Sequence, residues 1–371
     1  MAEIEIGMGK TGRRSYRLDD VSLVPNRRTR EVDLVDLRWQ IDAYEFDLPV
    51  IAAAMDSVTS PATAETMHRS GGLGVLDLEG LWTRHHDAEV KLAELGDHGP
   101  DADAVFERLR ELYEAPVDPD LVTQRIRELH AGGGYAAGAV SPRRVASMAD
   151  ILRRAELDLL LIEGTVISAE HVSTQPDPLN LKEFVRELET PVIVGGCVSY
   201  QAALHLMRTG AAGVLVGVDG GATATSRSVI GVGVGMATAI ADVRAARMRH
   251  LDETGVYVHV IANGGLRTGG DVAKAIACGA DAVMLGSVLA GAIDAPAPGW
   301  HWGRSSLHHE LPQGQLVALE TVAPLAEILE GPAHRADGMT NICGALRQAI
   351  ATLGLESVKD LQKADLAVTG G

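Results

Sequence analysis

The residues best placed to do chemistry in this 371-residue chain are mostly glycines and hydroxyls, gathered at a few points. The longest cluster is Gly217-Val-Asp-Gly-Gly-Ala-Thr-Ala-Thr-Ser-Arg227, where Thr223, Thr225 and Ser226 surround Ala224. The Ala224 methyl can neither attack an electrophile nor carry a proton. A hydroxyl is a poor nucleophile at neutral pH without a neighbouring base, and this loop contains no histidine. Two shorter clusters, Asn263-Gly264-Gly265 and Gly286-Ser287, offer main-chain amides that can hold a phosphate dianion without a basic side chain. The competing explanation is that these glycines only permit tight turns. Cys197, after Gly195-Gly196, is either a nucleophile facing a pocket or a small buried hydrophobe. Glu163-Gly164 places a carboxylate where it either meets a ligand or caps a following helix. Met55-Asp56 reads as pocket wall, with core packing the alternative for Met55.

All of these points fall at the ends of short apolar runs. The runs 48–54, 72–76, 135–140, 157–163, 190–197, 211–218, 259–263 and 280–286 are rich in β-branched residues and alternate with helical patterns. Several are apolar throughout, such as Pro191-Val-Ile-Val194, as expected for strands buried on both faces. Eight such units predict a (β/α)₈ barrel, whose sites lie at the C-terminal strand ends. A doubly wound sheet fits less well, because it concentrates its glycines at the first strand end. Helical spacing over 200–208 and 270–278 ends at Gly210 and Gly279, plausible caps. Segment 78–134 predicts a helical excursion after the second strand, with helical stretches at 82–95 and 102–130 and breaks at Pro116 and Pro119. From residue 288 a loop rich in His, Gly and Ser precedes C-terminal helices at 340–353 and 356–363. The whole chain reads as one barrel domain.

A formal net charge of −17 argues against nucleic acid or an anionic membrane as partner. No apolar run approaches the roughly 20 residues of a membrane span, and the start lacks the basic and apolar regions of a secretory signal. Three scattered cysteines fit a reducing, cytoplasmic setting and give no zinc spacing.

Four segments in order resemble the IMP dehydrogenase/GMP reductase family. They are Arg17-Leu-Asp-Asp-Val-Ser-Leu-Val-Pro25; Ala53-Ala-Met-Asp-Ser-Val58 followed by Gly71-Gly-Leu-Gly-Val75; the 217–227 loop; and Lys274-Ala-Ile-Ala-Cys-Gly-Ala-Asp-Ala-Val-Met-Leu-Gly-Ser287. The lack of paired CBS modules and the long 78–134 segment resemble the short, IMP dehydrogenase-related branch. The resemblance implies a purine nucleoside monophosphate ligand, with its phosphate on Gly264, Gly265, Gly286 and Ser287 and its base near Met55, Asp56 and Gly221. It implies NAD(P) beside Glu163 and Gly164, a potassium ion on loop carbonyls including Gly217 and Gly221, and a homotetramer.

The departures from the family matter as much. Its reactions start from a loop cysteine thiolate, and Ala224 stands in that place. The hydroxyls of Thr225 and Ser226, or a relocated Cys197 thiol, would have to act instead. Asn263 replaces an aspartate that accepts from both ribose hydroxyls, at a cost of about 1 kcal/mol or more if buried. Asp219 replaces a glycine of the cation loop. The mobile flap's Arg-Tyr pair is missing from Trp300-His-Trp-Gly-Arg-Ser-Ser-Leu-His-His-Glu310, where His301, His308 and His309 are the candidate bases, with a solvated cluster as the alternative. Three readings follow. The first is a purine nucleotide oxidoreductase, taking IMP to XMP with NAD or running a GMP reductase-like reaction. The second is a nucleotide-binding regulator or partner subunit that has lost the family chemistry. The third is a different, thiolate-free reaction on the same ligand.

Overall fold

Short apolar strands separated by helices can bury both faces only by closing on themselves, and here they do. The computed structural model describes residues 3–99, 101–172, 180–218, 220–308 and 310–369. Eight parallel strands form a closed barrel: β1 (Val50–Ala52), β2 (Leu73–Asp77), β3 (Ala137–Val140), β4 (Leu159–Glu163), β5 (Val192–Cys197), β6 (Gly213–Val216), β7 (His259–Asn263) and β8 (Ala282–Leu285). Each lies within two residues of its expected limits, and the doubly wound alternative is excluded. Alternation along the strands splits the core into two layers. Leu159 and Leu161 point into the barrel with Leu73, Val75, Ile193 and Ile261. Leu160 and Ile162 face outward against the helices.

The bottom of the barrel is sealed. A hairpin of Trp39–Ile41 with Tyr44–Phe46 packs Trp39, Ile41 and Phe46 into the interior cluster. Trp39 stacks on Phe46 at 5.1 Å, and its indole N–H donates to the Leu48 carbonyl at 2.7 Å. Ligands can therefore approach only from the C-terminal strand ends.

Helix starts follow local chemistry. Ser60 caps Pro61–Arg69, Ser199 caps Tyr200–Met207 and Thr268 caps Gly269–Cys278, each by accepting a backbone N–H. Gly279 ends the last of these with φ 126°, a conformation that disfavours a side chain. Gly210 lies beyond its helix, which closes at Arg208.

The expected 102–130 stretch of the excursion is built as two helices, Ala102–Tyr113 and Pro119–Ala131, parted around Pro116 as expected. The 82–95 stretch is shorter than expected, a 3₁₀ turn at Leu81–Thr83 and a helix at Ala88–Ala93. Buried Arg125 ties these pieces together by donating to the carbonyls of Trp82 at 2.9 Å and His86 at 3.1 Å. The excursion also reaches the barrel mouth, because Tyr113 donates its hydroxyl to Asp56.

Strands β7 and β8 and the chain's end are joined by Asp281, which accepts from Arg247 at 2.7 Å, Tyr257 at 2.6 Å, Gln362 at 2.9 Å and the Val260 N–H at 2.8 Å. Burial pushes the Asp281 carboxyl up, but the Arg247 and Lys359 charges outweigh it and hold the group below the usual range. Its contribution to stability is therefore present above its unfolded pKa and is lost only as pH falls below about 4. Asp281→Asn should cost about 3–5 kcal/mol in urea unfolding at pH 7, because buried Arg247 loses its counter-charge. The gap to the wild type should close below pH 4. A loss under 1 kcal/mol would show that the cluster does not brace the fold.

Candidate functional site

The barrel mouth divides into two chemically different halves. On one side stand the ends of β6, β7, β8 and β1. Register pairs Asn263 with Met284, so Gly264-Gly265 and Gly286-Ser287 emerge side by side at the same end. Gly264 and Gly265 take φ of 99° and 73°. They pack so closely under the 217–221 loop that a Cβ on Gly220 would lie 2.8 Å from the Gly264 carbonyl carbon. Gly217 is equally constrained, since a Cβ there would meet the Asn263 carbonyl at 1.9 Å. Met55 forms the floor, 3.3 Å from where a Gly286 Cβ would sit and 3.4 Å from that of Gly303. This half offers amides and thioether but no charge.

The other half is acidic. Asp77 ends β2 and Glu79 follows it, while Glu163 ends β4. Arg304 reaches in and donates to both Asp77 oxygens, at 2.5 and 3.1 Å, and to Glu79 at 3.3 Å. Burial lowers the Arg304 pKa, but the Asp77 and Glu79 charges more than reverse this and keep the guanidinium protonated. Burial raises the Glu163 carboxyl against the opposing Arg304 charge and the Asn263 hydrogen bond. That bond, Asn263 Nδ2 to Glu163 Oε1 at 2.9 Å, spans the mouth from β7 to β4. Deeper in, burial and then the Asp77 charge push the Asp56 carboxyl up to about 7. Asp56 accepts from the Leu81 N–H at 2.9 Å and from Tyr113, whose hydroxyl in turn accepts from the Trp302 indole N–H at 3.2 Å.

Residues 300–308 and 310–315 form a strap across the mouth. Trp300, His301 and Trp302 are buried, and Trp300–His301 pairs with Val317–Ala318. Further along, the strap zips to the glycine-rich loop. The Thr225 N–H donates to the Gln313 carbonyl at 3.0 Å, the Gln315 N–H to the Thr223 carbonyl at 2.8 Å, and Ala224 bridges Gly314.

These positions correct several expectations. Cys197 is 1% exposed, its thiol donates to the Leu215 carbonyl at 3.5 Å, and burial pushes its pKa up to about 12. A thiolate is excluded there and the cysteine is core. Ser226 is buried at the start of the short helix Ser226–Ile230 and cannot meet a ligand. Thr225 stands at the partly exposed rim, its main chain committed to the strap. The Gly221 carbonyl accepts from the Ala224 N–H, and the Gly217 carbonyl lies 2.5 Å from where a Gly196 Cβ would sit. Asp219 and His309 lie outside the described residues. His301 is not part of a solvated cluster. It is 1% exposed, its Nδ1 lies 2.9 Å from the Ser57 hydroxyl, and burial lowers its pKa to about 4. Among the described residues no His, Cys, Asp and Glu group is arranged to hold a metal, and no helix is long and apolar enough to cross a membrane.

Met55, Glu163, Gly164, Gly221, Asn263, Gly264, Gly265, Gly286 and Ser287 all lie partly exposed, as residues around an opening would. Asp56 is expected pocket wall but lies beneath it, 2% exposed. Sequence reasoning missed Asp77, Tyr113, Trp302 and Arg304. The expected second strand stopped at Leu76, one residue short of its terminal carboxylate. Two tryptophans bracketing His301, in a chain with four, were the available sign that the strap is anchored.

Residues 15–309 match the IMP dehydrogenase/GMP reductase domain model. An uncharacterized oxidoreductase of Mycolicibacterium smegmatis is 47% identical over 98% of this chain and 99% of its own. An inosine-5'-monophosphate dehydrogenase of Borreliella burgdorferi is 26% identical over 95% of this chain and 93% of its own. The crystal structure of an IMP dehydrogenase/GMP reductase-like protein from Corynebacterium glutamicum superimposes with a TM-score of 0.92 at 46% identity, covering 99% of this chain and 97% of the other. With a closed barrel, paired glycine turns and this domain match, the chain belongs to the IMP dehydrogenase/GMP reductase family.

Proposed function

We propose that this protein binds a purine nucleoside monophosphate in the uncharged half of the mouth and does not run the family's cysteine reaction. The observation that supports this most is the adjacency of Gly264-Gly265 and Gly286-Ser287 on neighbouring strands. Together they form a cradle of main-chain donors that suits a phosphate dianion. Ala224 above it brings no nucleophile, Cys197 is sealed in the core, and the strap is fastened rather than free. Asn263 spends its amide on Glu163 and keeps its carbonyl oxygen for a ribose hydroxyl. In this reading the protein is a cytoplasmic sensor or partner subunit, assembled as a homotetramer in the manner of its family.

A second reading, an NAD(P)-dependent purine nucleotide oxidoreductase, draws on family membership and on Glu163. That carboxyl lies at the mouth with its proton retained more firmly than usual, as an acid catalyst requires. The acidic half weighs against a dinucleotide, because Arg304 is already matched by two carboxylates and leaves no spare positive charge for a pyrophosphate. Both readings exclude nucleic acid and membrane as partners on the strength of the −17 charge.

The deciding experiment combines melting and turnover on the purified protein. IMP or GMP at about 100 times its Kd should stabilise by about 2.7 kcal/mol, a shift of a few degrees. IMP with NAD, and GMP with NADPH, should give no turnover above background. Steady turnover in either assay would replace this proposal with the second reading. If no purine monophosphate moves the melting point, both fall.

Gly286→Ala tests the cradle, since its Cβ would sit 3.3 Å from the movable Met55 sulfur and project into the phosphate space. The variant should melt within a few degrees of the wild type while losing at least tenfold in nucleotide affinity. Unchanged affinity would remove the phosphate from this turn.

Arg304→Ala tests the fastening of the strap. Amide exchange over 303–315 should rise at least tenfold relative to wild type, with β-strand amides unchanged. Equal exchange in the two proteins would show that the zipper to Thr223 and Thr225 holds the strap without the guanidinium.

A further inference from the structure

The strap brings His301 to the floor of the uncharged half, and the use of its ring is only half explained by the protein. Ser57 follows β1 and is wholly buried, and its hydroxyl lies 2.9 Å from His301 Nδ1. If the hydroxyl donates, the ring's single hydrogen is placed on Nε2. Among the described residues Nε2 has no hydrogen-bond partner, yet it is not one of the side-chain atoms sealed from solvent without one. It lies at the glycine turn: a Cβ on Gly286 would lie 3.7 Å from Nε2, 3.3 Å from Met55 Sδ and 3.8 Å from Ala53 Cβ. A ring 1% exposed, with one nitrogen fixed by a buried hydroxyl and the other turned to the Gly286 turn at a distance that leaves room for no more than a Cβ between them, has the geometry of a preset donor. A purely structural histidine would have both nitrogens matched or its free edge against apolar packing.

We propose that His301 is a ligand-contacting residue, donating from Nε2–H to a phosphoryl oxygen held at Gly286 and Ser287, with Ser57 as the positioning residue that sets its tautomer. This rests on the proposed function, which places the phosphate at that turn. The consequence is selectivity: His301 acts on the monophosphate and not on the nucleoside. A neutral donor to a dianion would add to the main-chain donors at that turn.

The test is a calorimetric titration of the full chain with IMP and with inosine, in wild type, His301→Ala, His301→Gln and Ser57→Ala. Loss of a charge-assisted hydrogen bond should weaken IMP about tenfold to a hundredfold in His301→Ala and leave inosine within twofold. His301→Gln, which can present an amide N–H, should recover part of the loss, and Ser57→Ala should lose several-fold for IMP alone. A second readout needs no variant. The ¹⁵N resonance of His301 Nε2 in wild-type protein should move with IMP and stay still with inosine. Should His301→Ala fail to fold, that resonance decides. Equal weakening of IMP and inosine, no weakening, or an Nε2 signal indifferent to IMP overturns the assignment while wild-type preference for IMP keeps the phosphate cradle. If wild-type protein binds IMP no better than inosine, the cradle itself is wrong and His301 falls with it.

Discussion

Arg304 can sit inside the barrel mouth only because Asp77 and Glu79 meet its charge there. A guanidinium drawn partly out of water needs a counter-charge, and the buried Asp77 carboxylate at the end of β2 needs a cation. Each side therefore needs the other, and the pairing fixes where residues 300–315 run. Once Arg304 is seated, Trp302 reaches Tyr113, and Tyr113 reaches Asp56. The helical excursion, the strap and the first barrel strand are thereby joined through one polar chain. The 78–134 segment is thus part of the mouth's construction, since it delivers the hydroxyl that buried Asp56 accepts.

The uncharged half depends on something different, which is the absence of side chains. Gly217 lies against the Asn263 carbonyl, and Gly220 lies against the Gly264-Gly265 turn, at distances no Cβ allows. These contacts stack one glycine-rich loop on another, with the partly exposed Gly286 turn on the neighbouring strand lined by Met55 and His301. Main-chain donors gathered this way are fixed in place by the barrel, so they lose little freedom when a ligand arrives. The mouth therefore combines a rigid neutral cradle with an acidic wall already satisfied from within. Such an arrangement suits a small anion-bearing ligand more than a long dinucleotide.

The legible parts of the sequence were those governed by local periodicity and local backbone need. Pro191-Val-Ile-Val194 announces a strand buried on both faces, and Gly279 announces a helix end with positive φ. The paired turns were legible because Gly264, Gly265 and Gly286 stand at strand ends whose neighbours are set by barrel order. What escaped were pairings across long sequence separations. Asp77 and Arg304 are 227 residues apart, and nothing local in either marks the other. Tyr113 looks like an ordinary helical aromatic until the excursion folds back onto Asp56. Cys197 misled for a related reason. Its place at a strand end is right, but the register shift between Gly195 and Cys197 breaks the alternation along β5 and turns the side chain outward into the layer beneath the helices, with Val192 and Val194.

The alanine at position 224 and the fastening of the strap go together. A cysteine at this position would have to meet a bound purine while the loop around it stayed free to adjust. Here residues 223–225 are instead one rung of an antiparallel ladder with 313–315, held from both sides by main-chain bonds. Thr223 is buried, with its hydroxyl 3.5 Å from where a Gly303 Cβ would lie, so loop and strap are packed as well as bonded. A loop that needs no thiolate has no reason to remain loose, and a strap without the activating Arg-Tyr pair has none to swing. The same main-chain bonds hold the strap over the barrel mouth, so that the strap and the loop carrying the Ala224 methyl stand as one unit.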